Sequence, residues 1–138
     1  MIRHVEQDDL DAVVQVNRQS SEWVGDRDRA FFERYLHLPC FYAVEENAAV
    51  RAFVLAMHDD IEHESDNFRW YRKRFASFCY IDRIVIDKDH RRQGRGRRLY
   101  DHLIEHKGPV PLVCEVSVDP ANTESIHSAQ PGSGRIVH

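Results

Sequence analysis

Residues 82–99 read DRIVIDKDHRRQGRGRRL, and this stretch restricts the possible folds more than any other. An apolar, strand-like run ends at Ile86, a basic turn carrying Gly94 and Gly96 follows, and apolar residues then recur at helical spacing to about His106. After Gly108 and Pro109 a second apolar run, Val110 to Val118, reads as a further strand. Strand, glycine-bearing turn, helix and strand make a β-α-β unit, so the fold class is mixed α/β or α+β.

The junction has its own chemistry. A helix N-terminus leaves about four backbone N–H groups without intrahelical partners and carries partial positive charge, which makes it an anion site. Gly94 and Gly96 lack a Cβ, so a phosphate can approach the main chain and positive φ is accessible. Arg91, Arg92, Arg95, Arg97 and Arg98 add long-range attraction. A pyrophosphate-bearing ligand fits this arrangement. The spacing is neither the dinucleotide fingerprint nor the Walker loop, because a third glycine and the Gly-Lys-Ser/Thr are missing, and nucleotide hydrolysis is therefore disfavoured.

The rest of the chain alternates elements without a linker or repeat, consistent with one domain over residues 1–138. A short strand at Ile2, His4 and Val5 precedes a helix with Leu10, Val13, Val14 and Val16 on one face, started by Asp8 and Asp9. A second helix is expected over Arg27–Leu38, ended by Pro39, with Phe31, Phe32, Tyr35 and Leu36 on its apolar face. Cys40–Val44 and Ala49–Met57 read as a hairpin turning at Glu45-Glu46-Asn47, His58–Asn67 as an acidic loop, and Phe68–Phe75 as a short helix. Ser77–Ile86 is a strand.

Composition excludes some functions. The net charge is -4, so the arginine cluster is a local feature of an acidic chain, which argues against a nucleic-acid partner. No interleaved aromatic platform accompanies that cluster, as a single-strand binder would need. Cys40, Cys79 and Cys114 are odd in number and lie in apolar segments, as expected for reduced thiols in a cytoplasmic protein. The opening MIRHVEQDDL has no signal-like apolar region, and no run approaches the roughly 20 apolar residues that span a bilayer, so no membrane partner is expected.

Arg91-Arg92-Gln93-Gly94-Arg95-Gly96 resembles the Q/R-x-x-G-x-G/A signature of the GNAT (Gcn5-related) N-acetyltransferases, set between a strand and an amphipathic helix as in that family. Ser65-Asp66-Asn67-Phe68-Arg69-Trp70, Tyr80 to Val85 and Cys114-Glu115-Val116 look similar to a bacterial group of that superfamily. The resemblance implies a mixed, twisted, mostly antiparallel sheet flanked by helices, whose central strands splay around acetyl-CoA. It implies that main-chain groups along Ile84, Val85 and Ile86 pair with the pantetheine arm and that the loop from Arg91 and Arg92 through the amides of Gln93 to Arg97 holds the pyrophosphate. The reaction implied is direct transfer of an acetyl group to a primary amine of a small molecule or peptide.

Such an enzyme must orient a thioester, polarise its carbonyl, deprotonate an ammonium and protonate a thiolate. Asp82 alternates with Ile84 and Ile86 and is expected on their face of the sheet, where it could act as base; its bland alternative is an ion pair with an arginine. Glu115, inside an apolar strand, is a second candidate, because a buried carboxylate requires a partner or a function. Tyr80 is a candidate acid, or else a core residue with a satisfied hydroxyl. Asn122 and Ser125 match the family's N-x-x-S pattern, which implies contact with the cofactor, although Asn122 could equally cap a helix. Asn67, Phe68 and Trp70 could wall an acceptor pocket or be plain core. The loop with His58, Asp59, Asp60, Glu62, His63 and Glu64 follows no metal-ligand spacing, and no metal is expected there.

The C-terminal end departs from the family pattern. Pro131, Gly132 and Gly134 interrupt the helix expected after Ser125, the family's Gly-Phe turn is missing, and Arg135–His138 alone could form a closing strand. The usual acid tyrosine has no counterpart, with His127 as a conceivable substitute. Residues 126–138 therefore read as atypical or altered. This keeps open a catalytically impaired acyl-CoA sensor of the same fold, and a homodimer that exchanges a strand.

Overall fold

The computed structural model describes residues 1–20, 24–63, 65–115 and 135–137. In chain order the elements are β1 (Ile2–His4), α1 (Leu10–Arg18), α2 (Arg29–Leu36), β2 (Phe41–Glu46), β3 (Val50–His58), α3 (Asp66–Arg74), β4 (Cys79–Ile86), α4 (Arg95–His106), β5 (Leu112–Glu115) and β6 (Arg135–Val137). The strands form one sheet in sequence order, antiparallel throughout except for the parallel pair β4–β5 that the α4 crossover joins. The mixed α/β class and the mostly antiparallel sheet are as expected, and the short closing strand at the C-terminal end pairs with β5. No helix among the described residues is long and apolar enough to cross a membrane.

Two cores lie on the two faces of this sheet. On one face α1, α2 and α3 bury Leu10, Val13, Phe32, Tyr35, Phe68 and Tyr71 against Phe53, Leu55, Met57 and Val85. On the other α4 buries Leu99 and Leu103 against Ala52, Val54, Ala56, Ile81 and Leu112. The small alanines of β2 and β3 let α4 lie close to the sheet. Helices of eight or nine residues, as α1, α2 and α3 are, are too short to persist alone. Their apolar faces hold them, at about 1.5–3 kcal/mol for each large side chain buried.

Local chemistry sets the boundaries. Asp9 accepts from the Glu6 amide at 2.8 Å and takes a bidentate pair from Arg3 at 2.7 and 2.9 Å, so the acid that starts α1 also ties the helix to β1. Asp28 caps α2 by accepting from the Phe31 amide at 3.0 Å, and this start leaves α2 shorter than the expected Arg27–Leu38. Ser65 caps α3 by accepting from the Asn67 amide at 3.1 Å. The hairpin turns later than expected, around Ala48 with φ 65°, and Glu45 belongs to β2 as a buried residue with 3% exposure. The three cysteines form no disulfide, and burial pushes the Cys40 and Cys79 thiols up to about 11.

One irregularity in β4 decides the geometry of the site. Leu55 pairs with Arg83 and Ala56 with Ile81, so Asp82 is an extra residue in the ladder, a β-bulge. The bulge inverts the alternation of side chains. Tyr80, Asp82, Arg83 and Val85 lie toward α1, α2 and α3, whereas Ile84 and Ile86 pack on the α4 side. The expectation that Asp82 shares a face with Ile84 and Ile86 is therefore wrong, because period-two counting fails across an inserted residue.

Among the described residues the β4–β5 ladder runs over Cys79–Ile81 and Leu112–Cys114, while β4 continues its pairing with β3 as far as Ile86.

Candidate active site

The N-terminus of α4 follows β4 across the glycine loop. Gly94 takes φ 77° at the N-cap position, and no side chain caps it. The first backbone donor satisfied within the helix is the Arg98 amide, bonded to the Gly94 carbonyl at 3.0 Å, so the amides just before it point out of the first turn. Arg92 also has positive φ, 63°, the kind of backbone turn from which anion-binding runs of N–H groups are built. The two glycines do different things. Gly94 supplies the left-handed backbone, whereas a Cβ on Gly96 would sit 2.9 Å from Ile86 Cδ1, so Gly96 lets α4 press onto β4.

Four arginines of the cluster are engaged within the protein. Arg95 is buried and pairs with Glu45 Oε1, which also accepts from Arg98 Nη2 at 2.8 Å. Burial alone would raise the Glu45 pKa, but the hydrogen bonds and charges of Arg98 and Arg95 outweigh it and hold the carboxyl below its usual range. Arg97 pairs with Asp101 at 3.1 Å, and Arg91 donates to Ser20 Oγ at 2.8 Å. Lys88 donates its amide to Gln19 Oε1 at 2.8 Å, so the end of α1 and β2 together fix the loop. The side chain of Arg95 thus points away from any ligand at the helix end, and only its amide is placed for one.

Asp82 lies at the centre of a buried polar network. His63 donates through Nε2 to Asp82 Oδ1 at 2.6 Å, and Arg83 donates through Nε to Oδ2 at 2.6 Å. The Ser65 amide donates to His63 Nδ1 at 3.0 Å, which places the ring proton on Nε2. Arg83 Nη1 reaches Asn17 Oδ1 at 2.9 Å and the Gly25 carbonyl at 3.0 Å, with its guanidinium over Phe31. The side chains of Asp82 and Arg83 are 6% and 3% exposed. Burial would raise the Asp82 pKa, but the His63 hydrogen bond and the Arg83 charge prevail and hold it below the ordinary carboxylate value.

Asp82 is joined in that direction by Asp9, Glu45 and Asp59, whose carboxyls are also depressed. As the pH falls, the unfolded chain takes up these protons first, near pH 4, and the folded chain only below that. The stability these groups contribute is therefore whole above about pH 5 and drains away as the pH falls further. Urea midpoints measured from pH 6 to pH 2.5 should show that loss, and Asp82→Asn should flatten its acid limb.

The other expected residues separate into groups. Tyr80 is buried against His63 and Phe68, its hydroxyl 3.5 Å from Ser65 Oγ. Phe68 is fully buried core and walls no pocket, because its ring is enclosed by Phe78, Tyr80 and His63. Trp70 is half-buried beneath Arg74, 3.7 Å from its ring centre, and Asn67 sits in the first turn of α3. Glu115 is the last residue of β5, one position beyond the final β4–β5 pair. Asn122, Ser125 and His127 lie outside the described residues.

Two pairings had no signal in the sequence. His63 and Asp82 are 19 positions apart, and Glu45 and Arg95 are 50 apart, at spacings that match no motif. The polar loop anticipated at His58–Asn67 instead anchors the site. Asp59 accepts from the Phe78 amide at 3.2 Å and from Ser77 at 3.1 Å, and His63 from Ser65. Beside the Asp82–His63 pair, Arg34, Glu62, His63 and Arg69 line a groove of about 390 Å³.

The sequence pattern of the Acetyltransferase (GNAT) family matches residues 8–130. No curated protein matches the sequence. Among solved structures, the ribosomal-protein-S18-alanine N-acetyltransferase of Escherichia coli superposes with a TM-score of 0.67 at 19% identity over 94% of this chain and 74% of its own. YncA of Salmonella typhimurium, solved with its cofactor acetyl-CoA, gives 0.67 at 19% identity over 94% of this chain and 76% of its own. NAA60 of Arabidopsis thaliana, solved with a bisubstrate analogue, gives 0.72 at 11% identity over 100% of this chain and 96% of its own. At these identities the superpositions establish the fold, while the family pattern runs from the helix after β1 through the glycine loop and beyond β5: the chain belongs to the GNAT acetyltransferase family.

Proposed function

We propose that the protein is an acetyl-CoA-dependent N-acetyltransferase that moves an acetyl group directly to a primary amine of a small molecule or peptide. The observation that carries this reading is the succession of the central strand β4, the glycine loop and the uncapped N-terminus of α4. An extended, hydrogen-bonding arm ending in a pyrophosphate fits strand and helix end at once.

The residues present suit such a cofactor. Main-chain groups along Ile84, Val85 and Ile86 would pair with its amide-bearing arm as an added strand would. The loop from Arg91 and Arg92 and the amides of Gln93, Gly94, Arg95, Gly96 and Arg97 would hold its phosphates, favoured by the helix dipole. Asn122 and Ser125 would complete the contact. The bound cofactor supplies an activated acetyl thioester. The chain's part is to hold the amine against it, to take one proton from the ammonium and to return one to the leaving thiol.

For the first proton the choice falls on Glu115. Asp82 is held ionised by two donors, and both its oxygens are occupied, which makes it a poor base and a good anchor. Glu115 is the first β5 residue past the last β4–β5 pair among the described residues. Tyr80, packed against His63, is the candidate donor to the thiol, and the groove lined by Arg34, Glu62, His63 and Arg69 is the candidate entry for the acceptor, with Asn67 and Trp70 on the neighbouring helix α3. The engagement of Asp82 also favours a second reading, an acyl-CoA sensor with the same cofactor site and no turnover.

Calorimetric titration with acetyl-CoA, CoA and dephospho-CoA, with thiol release followed against a panel of amines, tests both readings. Saturable binding with turnover supports the enzyme, and binding without turnover the sensor; no binding at millimolar cofactor sinks both. A pair of variants then locates the cofactor. Gly96→Ala asks only the flexible tip of Ile86 to move and should keep affinity within a few-fold, whereas Gly96→Val should push α4 from β4 and lower affinity by tenfold or more.

A further inference from the structure

The far end of α4 carries a second arrangement of chemically able groups, independent of acetyl transfer. His102, Glu105 and His106 stand at positions i, i+3 and i+4, so they share one face of the helix. Each offers a ligand atom, and all of these atoms lie within 4.8 Å of one another. In a tetrahedral zinc site with bonds of roughly 2.1 Å to nitrogen, ligand atoms lie about 3.4 Å apart, so small side-chain rotations of these residues close the site.

Three further features prepare it. His106 Nδ1 donates to the His102 carbonyl at 2.7 Å, so in the neutral ring the lone pair is on Nε2. That is how a metal-binding histidine is usually oriented, its other nitrogen bonded to a backbone carbonyl. The two imidazoles stack at 4.5 Å and 28°, and Phe41 of β2 packs against both at 5.9 and 5.7 Å, which keeps the pair together on one face of the helix. The cluster lies in the last turns of α4, where the helix dipole favours a cation.

We infer that His102, Glu105 and His106 form a binding site for a divalent transition-metal ion of the kind that imidazole prefers, such as Zn²⁺, Ni²⁺ or Cu²⁺. Two nitrogens and one carboxylate leave room for water or a further ligand, and they disfavour Mg²⁺ and Ca²⁺, which want oxygen alone. The site is about 12–18 Å along α4 from Gly94 at 1.5 Å per residue, so the ion would clamp the helix that carries the cofactor loop and take no part in the transfer.

Titration of the intact, metal-free protein with Zn²⁺ should show one equivalent bound tightly, a rise in melting temperature, and no comparable response to Mg²⁺. His106→Ala, an exposed substitution, should weaken that event by at least tenfold, and Glu105→Gln by several-fold. His102 packs partly on Phe41, so its alanine variant is accompanied by circular dichroism, and His106→Ala alone suffices if it misfolds. Cu²⁺-loaded wild type should show nitrogen coupling in its electron paramagnetic resonance spectrum that changes in His106→Ala. Unchanged Zn²⁺ affinity in His106→Ala would place the ion elsewhere in the chain and overturn the assignment, as would the absence of binding at millimolar Zn²⁺. Acetyl-CoA titration of the same variants, expected to match wild type, separates failure of this site from failure of the cofactor site.

Discussion

Asp82→Ala is expected to lower stability by about 3–5 kcal/mol, because it strands the Arg83 guanidinium in the interior without its counter-charge. The loss extends beyond one pair. Arg83 holds Asn17 of α1 and the carbonyl of Gly25, and His63 holds the loop before α3, so one carboxylate links three segments to β4. Urea denaturation of Asp82→Ala, Arg83→Met and the double variant measures the coupling. The double variant should be less destabilised than the sum of the two, since it removes both charges together. A loss under about 1 kcal/mol in Asp82→Ala, against the 3–5 kcal/mol of a broken buried pair, would return Asp82 to the list of candidate bases.

Glu115→Gln should lower kcat by roughly 10²–10⁴-fold, the usual contribution of a positioned general base, while acetyl-CoA affinity stays within a few-fold. The assay is thiol release with whichever amine the wild type accepts, accompanied by cofactor titration. A pH profile adds a readout that a merely structural carboxylate would not move: the acid limb of kcat should disappear in the variant. Wild-type kcat in Glu115→Gln would mean that the proton leaves by another route, through water or through a group beyond β5. The comparison with Asp82→Asn then distinguishes base from anchor, because the anchor variant should change melting temperature more than its kcat at permissive temperature.

The contrast between these two carboxylates shows what period-two reasoning can and cannot supply. Both were legible as acids inside apolar strands, and each needed a partner or a function. Counting along DRIVIDK put Asp82 with Ile84 and Ile86, and the count failed because β4 holds one residue more than β3 across that ladder. The β-bulge leaves no compositional mark here. It is created by the need to bury Asp82 and Arg83 together against His63 and Asn17, partners separated from them by 19 and 66 residues respectively.

The glycine loop teaches a related lesson. Gly94 and Gly96 were readable as necessary, and both are, but for different reasons: one for its left-handed backbone and one for the approach of α4 to Ile86. The arginines around them suggested ligand charge, and the fold instead spends Arg95 and Arg98 on Glu45 of β2. A guanidinium reaches whichever carboxylate the topology brings near, and spacing in the sequence says nothing of that.

By itself, then, the sequence determined what depends on near neighbours: helices by apolar spacing and acidic starts, strands by alternation, and the strand, loop and helix signature that marks the acetyltransferase family. Only the tertiary structure decided which face Asp82 occupies, what the arginines hold, and that His102, Glu105 and His106 meet beside Phe41. The physical reason is range. Helix caps and turns are closed within about four residues and are written in local order, whereas burial of charge is settled between elements far apart in the chain, where the low dielectric leaves each ionised group to find a partner or not be there.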